Sequence, residues 1–141
     1  MALGLNVDTF LLFVSGFFGF FSVCLLIDGN LFFGPNSVMW TPVGPMSYFS
    51  EDITGGGLFF VKALGLTVGH LCLAPYVFGI DKPAMAKMWF SINFLQTFLF
   101  VWGVLTIDVA TNWWWFNVGM QAPILIFNFL VIKDVPKIGM F

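Results

Sequence analysis

The residues able to do chemistry in this chain are few, and each sits in an otherwise apolar stretch. "TVGHLCLAP" (67–75) holds its single histidine, His70. A neutral imidazole can donate a hydrogen bond through one ring nitrogen and offer the other's lone pair to a metal. The magnesium of a chlorophyll needs one protein ligand, so His70 is a candidate axial ligand. A bis-histidine haem would need a second histidine, which the composition rules out. Carboxamides form the second set. Asn93, Gln96 and Thr97 are spaced i, i+3, i+4 along one helical face, and Asn117, Gln121 and Asn128 are spaced i, i+4, i+11. Asn and Gln also ligate chlorophyll magnesium, so Gln96, Gln121, Asn93 and Asn117 join His70 as cofactor-binding candidates. The plainer reading makes all five interhelical glue, each bond contributing about 0.6–2 kcal/mol and fixing register. A third reading is a quinone or small-lipid pocket at their common level.

Cys24 and Cys72 do not extend this chemistry. Their expected depths differ by more than ~15 Å at the α-helical rise, whereas a disulfide needs Cα atoms within about 7 Å. Two buried thiols acting as small apolar groups are expected. No catalytic constellation can be assembled either. The closest carboxylate on the same helix side, Asp81, lies about three turns from His70. There is no glycine-rich phosphate loop. There is no arginine series or acidic ladder of the kind voltage sensors and proton pumps use. A non-enzymatic protein is expected.

The elements that must position these residues follow from composition. Of 141 residues, 60% are hydrophobic and 9% charged, against about 25% charged in soluble domains. Mean hydropathy is +0.97, so a bilayer is the expected solvent. Net charge is −2, which gives no basic footprint for nucleic acid or for polybasic lipid binding. A membrane span needs roughly 20 mostly apolar residues. Four segments qualify, at about 9–27, 56–80, 86–107 and 113–132. The fold expected is an all-α integral membrane protein: a single four-helix transmembrane bundle, residues 1–141. A long Gly/Pro/Ser-rich loop, 28–55, joins the first two helices. Its apolar residues, Phe32, Phe33, Tyr48 and Phe49 among them, suggest that it lies on the membrane interface or caps the bundle. The N-terminal "MALGLNVDTF" has no basic leader region, so helix 1 is expected to act as its own insertion signal.

The turn "DKPAM" (81–85) is expected to make helices 2 and 3 an antiparallel hairpin, and "DVATN" (108–112) helices 3 and 4. Lys82, Lys87, Lys133 and Lys137 flank one set of helix ends, while the opposite connections carry only acids. The positive-inside rule then places both termini on the cytosolic, stromal or matrix side. "WWWF" (113–116) is expected at the outer interface and Trp89 at the inner one. Lys62 is expected to snorkel outward. Gly65 and Gly69 form a GxxxG step, and Ser15, Gly19 and Ser22 offer helix 1 as its small-residue partner. Counting from helix ends puts His70, Gln96 and Gln121 at one depth, where they are expected to converge.

The layout resembles small multi-helix accessory subunits of photosystems or respiratory complexes: short, rich in Phe and Trp, low in charge and without catalytic motifs. The resemblance implies a partner role beside other integral membrane subunits and lipids. It implies chlorophyll, and with it carotenoid, if the complex is photosynthetic. The corresponding location is the plastid thylakoid membrane. The alternative is a respiratory or ATP synthase subunit of the mitochondrial inner membrane, in which His70 is structural.

Overall fold

A computed structural model describes residues 6–41 and 44–133. Four helices account for most of it: α1 (Val7–Phe33), α2 (Gly56–Val77), α3 (Lys82–Thr106) and α4 (Trp113–Ile132). All four are long and apolar enough to cross a membrane. A two-residue antiparallel hairpin, β1 (Trp40–Thr41) with β2 (Gly44–Pro45), lies in the first connection.

The ends of these helices follow from local chemistry. Asn6 caps α1 by accepting from Thr9 N at 2.8 Å. The first helix extends beyond its expected end at 27 because Asp28 acts as an internal cap. Its backbone turns extended (φ −159°, ψ 107°), and its Oδ1 accepts from Asn30 N (2.9 Å) and Leu31 N (3.3 Å). A further turn then runs to Phe33. α3 begins four residues before its expected start. Asp81 accepts from Ala84 N at 2.9 Å, and Pro83 fits the first turn, where a missing N–H costs no helical bond. α4 has the expected bounds.

α1 and α2 form one tightly packed pair, and α3 and α4 the other; α1 also touches both α3 and α4. The expected hairpin of helices 2 and 3 is not a packed pair, because α2 packs closely only on α1. The "DKPAM" turn instead carries the chain from one pair to the next.

The α1–α2 seam repeats every seven residues on α1. Gly29 lies against Val61, where an added Cβ would meet Val61 Cγ1 at 2.7 Å. Ser22 Oγ donates to Gly65 O at 2.7 Å. Ser15 Oγ donates to Cys72 O at 3.0 Å. At the end of the row Asp8 pairs with Lys82 at 2.6 Å, with both side chains exposed. A seven-residue repeat keeps one face of a helix against its neighbour along the whole length. The GxxxG step and the serines of α1 therefore meet as the sequence suggests. Gly19 is the exception, having open space where a side chain would begin.

The α3–α4 seam is built from long polar side chains. In the amide orientation that satisfies both groups, Asn128 Nδ2 donates to Ala86 O (3.1 Å) and its Oδ1 accepts from Phe90 N (2.8 Å). α1 joins the pairs through aromatic contacts, with Phe18 stacked on Trp89 and Phe10 edge-on to Phe127. Trp89 is thus a core residue, 2% exposed, and not the interfacial anchor its position suggests.

Candidate functional site

The main apolar core gathers at the end of the bundle that carries Asp8 and Lys82. Phe10, Leu11 and Val14 of α1 meet Cys72 and Ala74 of α2, Met85, Ala86 and Trp89 of α3, and Val131 of α4. Toward the opposite end α2 stands away from α3 and α4, and a cavity of about 200 Å³ lies among the four helices. The first connection covers one end of it, with Tyr48, Phe49 and Ile53 in its lining. Tyr48, 2% exposed, packs with Cys24 and Phe33 in a second cluster over the cavity.

Backbone and side-chain bonds pin this connection to both helix pairs. Tyr48 N and Phe49 N donate to Phe33 O at the end of α1, at 3.0 and 3.1 Å. Ser50 N donates to Val109 O (2.9 Å) and Thr111 N to Tyr48 O (3.0 Å), binding it to the α3–α4 turn. Thr111 Oγ1 adds a bond to Ser47 O. The Asn30 amide holds Ile53 at two points, Nδ2 to the carbonyl (2.9 Å) and Oδ1 from the N–H (2.7 Å). Tyr48 OH donates to Asn117 Oδ1 on α4 at 3.2 Å. Burial pushes the Tyr48 phenol up to about 12, the bond with Asn117 acting in the opposite direction.

The cavity wall is aromatic and aliphatic, with Gln96, Asn117, Gln121 and the Trp114 indole among its lining. Gln121 Oε1 and Trp114 Nε1 are buried without a hydrogen-bond partner. Asn93, 0% exposed, lies outside the cavity with neither amide atom paired, and Trp89 Nε1 on the same face of α3 is also unpaired. Unpaired buried polar atoms are uncommon and mark places where water, ion or ligand belongs.

His70 does not join this group. It is exposed on the outer face of α2, in a separate shallow groove lined by Leu66, Thr67, Leu71, Ala74, Phe78 and Ile80. The expected convergence of His70, Gln96 and Gln121 is therefore corrected: Gln96 and Gln121 share the inner cavity, and His70 faces away from it. Matching depth does not fix which way a helix is turned. The His70 ring has its own organisation. Nδ1 lies 2.8 Å from Leu66 O, one turn back. A carbonyl only accepts, so Nδ1 is the donor, and in a neutral ring the lone pair then lies on Nε2. The ring lies parallel to that of Phe78, at an interplanar angle of 1° and a centroid separation of 6.2 Å.

Cys24 and Cys72 are both free and buried, as their depths imply. Lys62 is exposed. In "WWWF", Trp115 and Phe116 are exposed, whereas Trp113 and Trp114 pack against the Tyr48 cluster. Tyr48 and Trp114 are the site residues that sequence reasoning passed over, because both read as interfacial aromatics. Among the described residues, no three His, Cys, Asp or Glu side chains come together as a metal centre. Lys137 lies outside the described residues. No protein-family model, curated protein or solved structure matches the chain.

Proposed function

We propose that this chain is a multi-pass membrane protein serving as a non-enzymatic subunit of a larger pigment-bearing complex, with His70 as a ligand to chlorophyll magnesium. The observation that carries this reading is the 2.8 Å contact of His70 Nδ1 with Leu66 O. Metal-ligating histidines characteristically donate their other ring N–H to a carbonyl or carboxylate, which fixes the ring and raises the basicity of the ligating nitrogen. Leu66 O occupies that second position. The remaining Nε2 lone pair belongs to an exposed residue in an apolar groove, beside a parallel Phe78 ring. In hydrocarbon a bare acceptor has no water to satisfy it, and a coordinated magnesium would. The residues present therefore fit the group. When bound, a chlorophyll would supply light absorption and excitation transfer; the chain's part is to hold and orient it.

The membrane reading rests on the four apolar helices and on their large exposed side chains, such as Phe59, Phe60, Leu95, Phe98 and Trp102. These surfaces suit lipid and the helices of neighbouring subunits. Lys82, paired with Asp8 at the start of α1, Lys87 near the start of α3 and Lys133 after α4 support termini on the stromal side of a thylakoid membrane. An inner-mitochondrial accessory subunit is the competing assignment.

The test is an absorption spectrum of the gently solubilised native complex, wild type beside His70→Leu. A chlorophyll band that loses part of its intensity in the variant, with the complex still assembled, is the expected result. A complex without pigment overturns the photosynthetic assignment and favours the mitochondrial one. A band unchanged by the substitution overturns the ligand role.

A further inference from the structure

We propose that this chain pairs with a second copy of itself through the flank of α3 that carries Gln96, Leu99 and Gly103. The proposal rests on the membrane reading and is independent of pigment at His70. The flank is open because α2 packs closely only on α1. Gln96 supplies the first observation. It borders the inner cavity, but it is partly exposed, and neither amide atom is sealed away as Gln121 Oε1 is. Among the described residues no hydrogen bond reaches the Gln96 amide. In hydrocarbon no water satisfies such a group, and a carboxamide on a spanning helix bonds across to another helix.

Gly103 supplies the second observation. Gly29, Gly65 and Gly69 each stand against a neighbouring helix, whereas a Cβ at Gly103 would meet only Ile107 Cδ1, at 3.6 Å, just past the end of the same helix. Packing inside the chain therefore gives no reason for a residue that weakens a helix relative to alanine. Small residues let two membrane helices approach closely. Leu99, 60% exposed, lies between the two. Gln96, Leu99 and Gly103 are spaced by three and then four residues. That is the seam spacing of a coiled coil, in which a single amide fixes register and oligomer state.

Symmetry names the occupant. Two copies inserted in the same direction are related by a two-fold axis along the membrane normal, so each residue of their contact meets its own counterpart at its own depth. A carboxamide is self-complementary, donating through Nε2 and accepting through Oε1. Two Gln96 amides therefore satisfy each other. A different subunit would have to bring a matching polar group to the same depth. The outer face of α2 fails this test, because pairing there sets the exposed Lys62 against its like-charged copy.

The experiment uses the purified full chain in lipid vesicles over a range of protein-to-lipid ratios. Energy transfer between labelled copies reads dimer affinity. Gln96→Leu should weaken the dimer about tenfold, as loss of interhelical amide bonds implies, and His70→Leu should leave it unchanged. Mild oxidation then maps the contact. Leu99→Cys and Gly103→Cys should cross-link about tenfold faster than Phe98→Cys and Leu105→Cys, since a disulfide needs Cα atoms within about 7 Å. Phe98 and Leu105 are as exposed as Leu99 but lie on another face, so random collision would favour neither set. Wild type is the blank, because Cys24 and Cys72 are buried. A wild-type chain that stays monomeric at every ratio overturns the proposal, as does equal cross-linking at all four positions. A dimer of unchanged affinity in folded Gln96→Leu also overturns it. Should that variant not fold, the cross-linking pattern decides alone.

Discussion

The two helix pairs solve the same problem in different ways. Along α1–α2 the backbones approach closely over Gly29, Gly65 and Gly69, and short serine hydroxyls reach carbonyls across the gap. Each hydroxyl in that seam has a partner. Along α3–α4 the polar groups are carboxamides and indoles. Asn128 is satisfied, whereas Asn93, Trp89 Nε1 and Gln121 Oε1 are not. The difference shows where this chain has been built for packing and where it has kept unused bonding capacity. A serine against a glycine leaves no room for a third party. A buried carboxamide without a partner leaves its bonding capacity open.

Gly65→Leu should break the first pair with the largest effect. A Cβ at Gly65 would lie 2.9 Å from Leu25 Cβ and 3.0 Å from Ser22 O, a backbone atom that cannot swing aside. Overpacking of this kind costs about 1–3 kcal/mol, and parting of the backbones adds the loss of the serine bonds. Denaturant titration in detergent, with a label on each pair, should show α1 and α2 separating while α3–α4 persists.

The tie between the pairs should respond to pH. Tyr48, with its phenol at about 12 in the fold against about 10 in an unfolded chain, favours the folded state while neutral. That stabilisation is complete below pH ~10 and is lost as pH rises through about 12, to a total of about 2–3 kcal/mol. Phenolate absorbance should track release of the connection in wild type. Tyr48→Phe should abolish that transition.

The second seam should split into opposite signs. Asn128→Leu removes two bonds to the α3 backbone and should destabilise by about 1–2 kcal/mol. Asn93→Leu replaces an unpaired, fully buried amide with an apolar group of similar volume. It should be neutral or stabilising by up to about 1 kcal/mol. Thermal unfolding of the two variants side by side checks the contrast. If both lose stability equally, Asn93 has a partner in solution and the two seams are more alike than their geometry indicates.

What the sequence disclosed follows the same division. Four apolar segments were legible from hydropathy, and α4 from its bounds. The α1–α2 seam was legible because glycine and serine at matched spacing have few other reasons to recur in an apolar helix. The orientation of His70 was not. Its depth follows from counting residues, but its direction depends on which face of α2 meets a neighbour, and α2 carries large apolar residues such as Phe59, Phe60, Leu66 and Leu73 on its exposed faces as well. The helix 2–3 pairing failed for a related reason: a tight turn fixes chain reversal, not contact. The start of α3 was misplaced because Pro83 reads as a break, while Asp81 supplies the cap that makes proline acceptable in the first turn. Asn30 gave no local signal, since its partner Ile53 lies across the connection.

The smallest expected effect tests what holds the first seam. Ser22→Ala removes the 2.7 Å bond to Gly65 O but keeps a side chain small enough for Gly69 to stay close. Gly65 O is also positioned for the intrahelical bond of α2, so its loss of one donor does not orphan it. Interhelical bonds of this type average about 0.6 kcal/mol, and Ser22→Ala should cost no more than about 1 kcal/mol in the same denaturant titration. Set against Gly65→Leu, that result would assign the seam's stability to close approach, with the hydroxyl fixing register. A loss as large as that of Gly65→Leu would reverse the assignment: the serines would then hold the first pair as Asn128 holds the second, and the two seams would differ in side-chain length alone.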